Sequence, residues 1–436
     1  MPTDKCFVSL LMVWLSFVSS GPGLARAEEF VPLFNGQNLD GWVNVNCAPE
    51  TWTVRDGMII CTGKPAGVLR TVKQYENFVL ELEWRHIHKG GNAGLFIHSD
   101  AITAPGVPFT RSIEIQIMDS NHGDVFAIHG ATLTPDKPHP KGWMRSLPSE
   151  KRTHPAGGGW NQYRVESRDG MITLSVNGEV VTRAFHCNPR KGYICLESEG
   201  SEIHFRNIRV QELPGTNPPA VVTATPEEGF VSLYNGLDLR GWKQDPGHSN
   251  HWRPQDWILD YDGQSEAVDK NLWTEKEYGN FILIVDWRQN AKPVIENVPV
   301  VLPDGRDATA SDGSPLTVPV YDAGDSGIYI RGNSKSQFNI WNWPVGSGEI
   351  YGYRTDASMP PEVRRGATPL FNADNPIGEW NRFEITAIGN RVTVVLNGKK
   401  VIDNAELPGM PERGPIALQH HGDRIQFANI YIKELD

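Results

Sequence analysis

The sequence predicts an all-β protein built as two jelly-roll β-sandwiches in tandem, and three observations carry that prediction. A thirteen-residue phrase, FVPLFNGQNLDGW from Phe30, returns two hundred residues later as FVSLYNGLDLRGW from Phe230. Short runs alternate apolar and polar residues with period two: FVLELEWR from Phe78, SIEIQIMD from Ser112, MITLSVNG from Met171 and EIHFRNIRVQEL from Glu202. No stretch sustains the 3.6-residue period of an amphipathic helix. Such runs, bounded by Asn-Gly, Asp-Gly and Gly-rich turns, are antiparallel strands with one wet face. About ten of them in each copy is a sandwich, with jelly-roll topology the best fit at that size.

The first residues, MPTDKCFVSLLMVWLSFVSSGPGLARAEE, place Lys5 before an apolar run from Phe7 to Val18 and close on Ala25-Arg26-Ala27. This is the pattern of a secretory signal peptide, expected over residues 1–27, and the apolar run is too short to span a bilayer. The mature protein is expected to be exported, periplasmic or extracellular, with no membrane span. A chain of 436 residues with 43 Gly, 32 Pro and 14 Trp is folded and turn-rich. Its formal charge of -11 argues against nucleic acid or an anionic membrane as partner, and neutral substrates fit better.

The matches between the halves set the boundaries. Trp42 corresponds to Trp242, Trp84-Arg85 to Trp287-Arg288, NAGLFIH from Asn92 to DSGIYIR from Asp325, WNQY from Trp160 to WNRF from Trp380, and FRNIRVQEL from Phe205 to FANIYIKEL from Phe427. The second copy has gained residues near Ala291 to Tyr321, a segment rich in Pro, Asp and Gly that reads as a long loop. The expected organisation is a first sandwich over 28–213, an extended linker over 214–228 and a second sandwich over 229–436. The linker reads PGTNPPAVVTATPEE. Once Cys6 leaves with the signal, Cys47, Cys61, Cys187 and Cys195 remain. In an oxidising compartment the favoured disulfide pairing is Cys47 with Cys61 and Cys187 with Cys195, with buried free thiols as the alternative.

The ordered pattern of LFNG and GW, Asn/Asp-x-Gly-[LI]-[FY]-Ile-[HR], EIQIMD, WN, an NG turn and a terminal FxNIxxxEL resembles the DUF1080 or 3-keto-disaccharide hydrolase family, present here as a tandem pair. The resemblance implies a concanavalin-A-like jelly roll. It also implies a reaction, in which a 3-keto-glucoside loses its aglycone by 1,2-elimination and the resulting 2-hydroxy-3-keto-glucal is hydrated. A ketone at C3 acidifies the C2 proton, so the site needs a base of tuned pKa and a hydrogen-bonding or positive group near the C3 oxygen. No cofactor is required by the sequence, and a divalent metal ion is one way to meet the second need.

On the strand from Ser112, Ile113, Ile115 and Ile117 share one face while Glu114 and Gln116 share the other. With the concave face of the sandwich as the expected sugar site, Glu114 is the first candidate for base or metal ligand, and Gln116 and Asp119 for sugar contacts or ligands. His98 stands where the family usually has Arg, and its pKa range suits an acid or base. His122 and His129, with the pair His86 and His88, are candidates for a metal cluster with Glu114.

The second copy replaces Glu114 by Gln337 and Gln116 by Asn339. It keeps Arg331 in the family's Arg position, and it keeps the family's Gln-x-His-Gly ending as Gln419, His420 and His421. There the first copy has Glu197 and Glu199. Arg331 and His421 are therefore further catalytic candidates. The aromatic and acidic stretch WNWPVGSGEIYGYRTD adds Trp341, Glu349, Tyr351 and Asp356 as candidates for lining a sugar subsite. Two function classes stay open, a 3-keto-glucoside lyase/hydratase and a non-catalytic carbohydrate-binding or adhesion protein. A glycosidase is third, since no pair of carboxylates in the sequence makes the case for it.

Overall fold

The computed structural model describes Met1 and residues 29–140, 144–150 and 152–436, so the expected signal peptide lies, apart from Met1, outside the described residues. The protein is two antiparallel β-sandwiches, as the alternating runs predict. In the first copy a nine-stranded sheet runs in the order Thr132–Pro135, Glu179–Asn188, Met171–Val176, Asn161–Arg168, Phe78–His86, Ile203–Glu212, Met58–Cys61 and Trp52–Arg55, with Val31–Pro32 added alongside Ile203–Glu212. Packed on it is a seven-stranded sheet: Arg145–Ser146, Val125–Ile128, Ser112–Gln116, Gly94–Ser99, Tyr193–Ser198, Gly67–Thr71 and Trp42–Asn44. Ile113, Ile115 and Ile117 are buried between the sheets, as their spacing predicts, beside Trp84, Tyr163 and Phe205.

The second copy repeats the plan with an eight-stranded sheet centred on Ile425–Glu434, Phe281–Gln289 and Asn381–Ile388. Its facing sheet is reduced to Leu272–Trp273, Ala417–Leu418, Ser326–Ile330 and Asn333–Ile340. Each copy fills its own core, one cluster drawing on Phe34 through Val210 and the other on Tyr234 through Ile432. No helix among the described residues is long and apolar enough to cross a membrane.

Three expectations are corrected. The inserted segment is no loop: Val294–Pro299 pairs with Thr317–Asp322 as a hairpin standing clear of both sheets, its strands largely exposed. The Asn35-Gly36 step of the repeated phrase, by its residues the expected tip of a first hairpin, does not make one, because Val31–Pro32 joins one sheet and Trp42–Asn44 the other. The side chain of Asn35 accepts from the backbone of Gln37 and Asn38 to turn the chain across, and Trp42 donates its indole N–H to Leu33 at 2.8 Å. Asn235 and Trp242 repeat both features.

The third correction is that the four described cysteines, Cys47, Cys61, Cys187 and Cys195, are free and buried. Cys187 lies in the nine-stranded sheet and faces the core, whereas Cys195 lies in the seven-stranded sheet and packs on its outer face with Val45 and Phe96. Cys47 points at the carbonyl of Pro65, 3.7 Å away, while Cys61 accepts from the Gly63 amide at 3.3 Å, so each thiol is engaged locally. Burial pushes the thiols of Cys61, Cys187 and Cys195 up to about 12.

Beyond the covalent connection, the copies are docked through the loop between Ser99 and Thr110, which leaves the first sandwich and packs on the outer face of the eight-stranded sheet. Asp286, fully buried, accepts the amide of Gly106 at 2.7 Å and is ion-paired with Arg382 at 2.6 Å. Arg382 also reaches the carbonyl of Thr103, Asn429 donates to Ala104 and Val107, and the hydroxyls of Thr103 and Tyr431 lie 2.9 Å apart. At the rim, exposed Arg240 forks onto Glu50.

Candidate functional site

Gly94 lies on a central strand of the seven-stranded sheet, and the side chain it lacks makes room for a pair of carboxylates. A β-carbon there would stand 2.7 Å from Glu197 Oε2 and 3.1 Å from Glu114 Cγ. Strand register delivers both: Gly94–Ser99 is flanked by Ser112–Gln116 and by Tyr193–Ser198, and period-two alternation turns Glu114 and Glu197 to the outer face. Glu199 completes the group, and the side-chain amide of Asn92 donates to it. Gln116 shares the face, with no hydrogen-bond partner on Oε1.

Three carboxylates this close cannot all ionise cheaply. Burial, reinforced by Glu199 and opposed by Arg145, pushes Glu114 up to about 8. Burial, with Glu114 and Glu199 adding to it, holds Glu197 well above the usual carboxylate range, and its Oε2 lacks a hydrogen-bond partner. Burial also raises Glu199, against the pull of the Asn92 amide. Arg145 supplies the opposing charge from a fixed position, ion-paired with buried Asp124 and lying 3.9 Å over the Phe126 ring. The group thus holds a proton near neutral pH and has an adjacent acceptor for another.

The second copy reproduces the frame and changes its chemistry. A β-carbon on Gly327 would stand 2.7 Å from Gln419 Oε1 and 3.0 Å from Gln337 Cγ. These are the positions of Glu197 and Glu114, now amides joined by a 2.7 Å hydrogen bond from Gln337 to Gln419. The Asn92 and Glu199 pair becomes Asp325 and His421, 3.8 Å apart, with Asp423 3.6 Å from the other ring nitrogen. Burial pushes Asp325 up to about 7 against the pull of His421, with Asp423 adding to the rise.

The remaining sequence candidates scatter. His98 does not join Glu114: it is buried at the far end of its strand, in a left-handed backbone conformation, against Phe78, Ser167 and the carbonyl of Glu76. Burial lowers its pKa to about 4. Arg331 occupies the same left-handed position and spends its guanidinium on the carbonyls of Gly279, Gly389 and Pro411, so this position fastens loops in both copies. Asp119 accepts from the amides of Gly90 and Ala156, His122 packs on Trp84, His86 contacts the carbonyl of Ile117, and His88 and His129 are exposed. Among the described residues no three His, Cys, Asp or Glu side chains gather to hold a metal ion, so Glu114, Asp119 and His122 do not form the suggested set.

Trp341 is stacked on Trp343 at 3.9 Å inside the second copy, and Glu349 is fully buried against Arg354. Tyr351 opens a short helix, Tyr351–Arg354, and Asp356 is paired with Lys335 on the surface at 2.6 Å. Trp341 and Glu349 are therefore spent on packing, while Tyr351 is exposed and Asp356 half-buried. His420 contacts the Tyr261 hydroxyl beside the second cleft. Sequence reasoning passed over Asn92, Gly94, Asp325 and Gly327 as site residues, although the alignment of NAGLFIH with DSGIYIR already set Asn92 opposite Asp325 and Gly94 opposite Gly327.

The family described as the 3-keto-alpha-glucoside-1,2-lyase-like domain matches this chain twice, over residues 29–211 and 229–433. A 3-keto-disaccharide hydrolase from Bacteroides thetaiotaomicron is 24% identical over 237 residues, which take in 43% of this chain and 79% of that protein. Among solved structures, a candidate glycosyl hydrolase from Parabacteroides distasonis is 24% identical, covering 43% of this chain and 96% of its own, with a TM-score of 0.35. A carbohydrate-binding module from Bacillus subtilis is 14% identical over 39% of this chain and 95% of its own, with a TM-score of 0.30. The chain belongs to the family of the 3-keto-alpha-glucoside-1,2-lyase-like domain and carries that domain in two copies.

Proposed function

We propose that the protein is a carbohydrate-active enzyme that cleaves 3-keto-glucosides by 1,2-elimination followed by hydration, and that the first copy holds the acid and base. The supporting observation is the convergence of Glu114, Glu197 and Glu199 on the space above Gly94, with burial and mutual repulsion keeping a proton among them. The ionised member takes the C2 proton, made acidic by the C3 ketone, and the electron pair moves into the enolate. The enolate then expels the C1 oxygen as the C1–C2 double bond forms, and the protonated member gives its proton to the departing aglycone. Water added across that double bond returns a 3-keto sugar and resets the carboxyls. The Gln116 amide, on the same face, offers an N–H to the C3 oxygen as charge develops there. The proposal includes export under the direction of residues 1–27, read from the sequence.

The test is release of a chromogenic aglycone from a 3-keto-glucoside by the full mature chain, with and without added divalent cation. Glu114→Gln and Glu197→Gln should each abolish release while the protein stays folded by circular dichroism. No release by the native protein under any of these conditions, or full release by both variants, overturns the proposal.

A further inference from the structure

We propose that the second copy carries a separate binding site for a neutral pyranoside ring, seated on Trp273. This deepens the carbohydrate reading above and does not depend on the 3-keto chemistry. Trp273 ends the edge strand Leu272–Trp273, and the register that pairs it with Ala417 pairs its counterpart, Arg70, with Cys195 in the first copy. The two ends have opposite fates. Arg70 is closed over: its side chain is ion-paired with Glu227 of the connecting segment, lies 4.5 Å over the Tyr193 ring and donates to the carbonyl of Ala101. At Trp273 the same end of the sheet is open, and a cavity of about 350 Å³ lies there, lined by Lys243, Gln244, His248, Asp269, Asn271 and Trp273.

The cavity has the parts a sugar ring needs. Its aromatic wall is fixed, because the indole N–H of Trp273 donates to Asp269 Oδ2 at 2.8 Å and Tyr329 backs the ring at 5.9 Å. A fixed indole presents a flat apolar face to the C–H groups of a pyranose at little cost in side-chain entropy. Lys243 and Gln244 stand exposed at the mouth. His248 is buried, its Nε2 2.9 Å from the carbonyl of Asp269 and its Nδ1 without a hydrogen-bond partner. That inventory of the Gln244 and Asn271 amides, an ammonium and carboxylate neighbours satisfies hydroxyl groups that both donate and accept. It does not favour an anion, since Asp245 and Asp269 stand beside Lys243. The volume sits at the low end of the about 300–1,000 Å³ of small-molecule pockets, enough for a single ring.

The experiment uses the full chain with Glu114→Gln, which cannot turn substrate over, and measures binding of methyl α- and β-D-glucopyranoside by calorimetry. This protein should bind at least one of them. Adding Trp273→Ala should weaken binding by at least about tenfold, whereas Trp273→Phe, which keeps an aromatic face, should stay within about threefold. No binding to either glucoside, unchanged affinity in Trp273→Ala, or equal loss in both Trp273 variants overturns the proposal. Because the readout is binding of an unoxidised sugar, its failure is distinct from failure of aglycone release at the first copy.

Discussion

The floors beneath Gly94 and Gly327 are built by the same strands in the same register, yet one holds two carboxylates and the other two amides. Glu114 and Glu197 repel each other and are driven toward shared protonation, whereas Gln337 and Gln419 settle their needs in one 2.7 Å hydrogen bond. The sandwich pays for the first arrangement and not for the second. A costly polar pair kept on an identical scaffold points to chemistry at that copy, and the relaxed pair points to a floor released from it. The rims carry a complementary exchange, Asn92 with Glu199 against Asp325 with His421, so the second site has changed its acid–base groups on the same strand frame.

The largest effect expected from breaking this comparison is on turnover. Glu114→Gln makes the first floor resemble the second, and loss of one acid–base group should lower kcat by about 100- to 10,000-fold. The double variant Glu114→Gln, Gln337→Glu should stay as inactive as the single one, since a carboxylate at Gln337 faces Gln419 and not Glu197. Recovery of aglycone release in that double variant would show the two floors to be interchangeable. Steady-state kinetics on a chromogenic 3-keto-glucoside reads both.

Next in size is the seam that makes the copies one body. Arg382→Ala leaves Asp286 fully buried without its cation, and breaking a buried pair by removing one partner costs about 3–5 kcal/mol. The loss should appear in thermal unfolding as an earlier transition of the second copy. The same loop, fastened by Gly106 to Asp286, brings Phe109 against Phe96 on the outer face that bears Glu114. The seam therefore also supports the face that bears Glu114, and KM for the substrate should rise in this variant.

Much of this was legible in the sequence. The alternation that put Ile113, Ile115 and Ile117 inward and Glu114 outward is a local property, and a register of period two carries it into the sheet unchanged. The self-alignment placed Gln337 opposite Glu114, and the twin geometry at Gly94 and Gly327 bears that out. What failed depended on contacts between distant segments. Histidine and arginine at the end of the Gly94 and Gly327 strands looked catalytic, but a left-handed turn after Ile97 and Ile330 swings both side chains into loop fastenings. The Trp341 stretch looked like a sugar platform by composition, yet Trp341 is buried, its ring stacked on that of half-buried Trp343. The expected pairing of Cys187 with Cys195 fails because the strands that carry them belong to different sheets.

A smaller effect sharpens the contrast between the floors through pH. Glu114 titrates near its ordinary 4.5 when unfolded and is pushed up to about 8 when folded, so between those values the folded state holds more protons. Stability carried by this group is therefore present below about pH 4.5 and declines as pH rises toward about 8. Glu114→Gln removes the titrating group and should flatten that decline. At about 2–4 °C for each kcal/mol, the thermal midpoint should fall several degrees less in the variant than in the native protein over this range. Equal slopes would mean that the carboxylate cluster does not share a proton.

The smallest effect belongs to the rim of the seam. Arg240 and Glu50 form a two-point ion pair between the copies, as well oriented as Arg382 with Asp286, but their side chains are 48% and 59% exposed. Water solvates both charges when they separate, salt screens them when they meet, and Arg240 keeps Asp238 as a second partner. Arg240→Ala should therefore move the thermal transition far less than Arg382→Ala does, and less still in high salt. A loss comparable to that of Arg382→Ala would locate the coupling of the copies at the rim. A small one leaves it with the buried aspartate, where desolvation makes the partner indispensable.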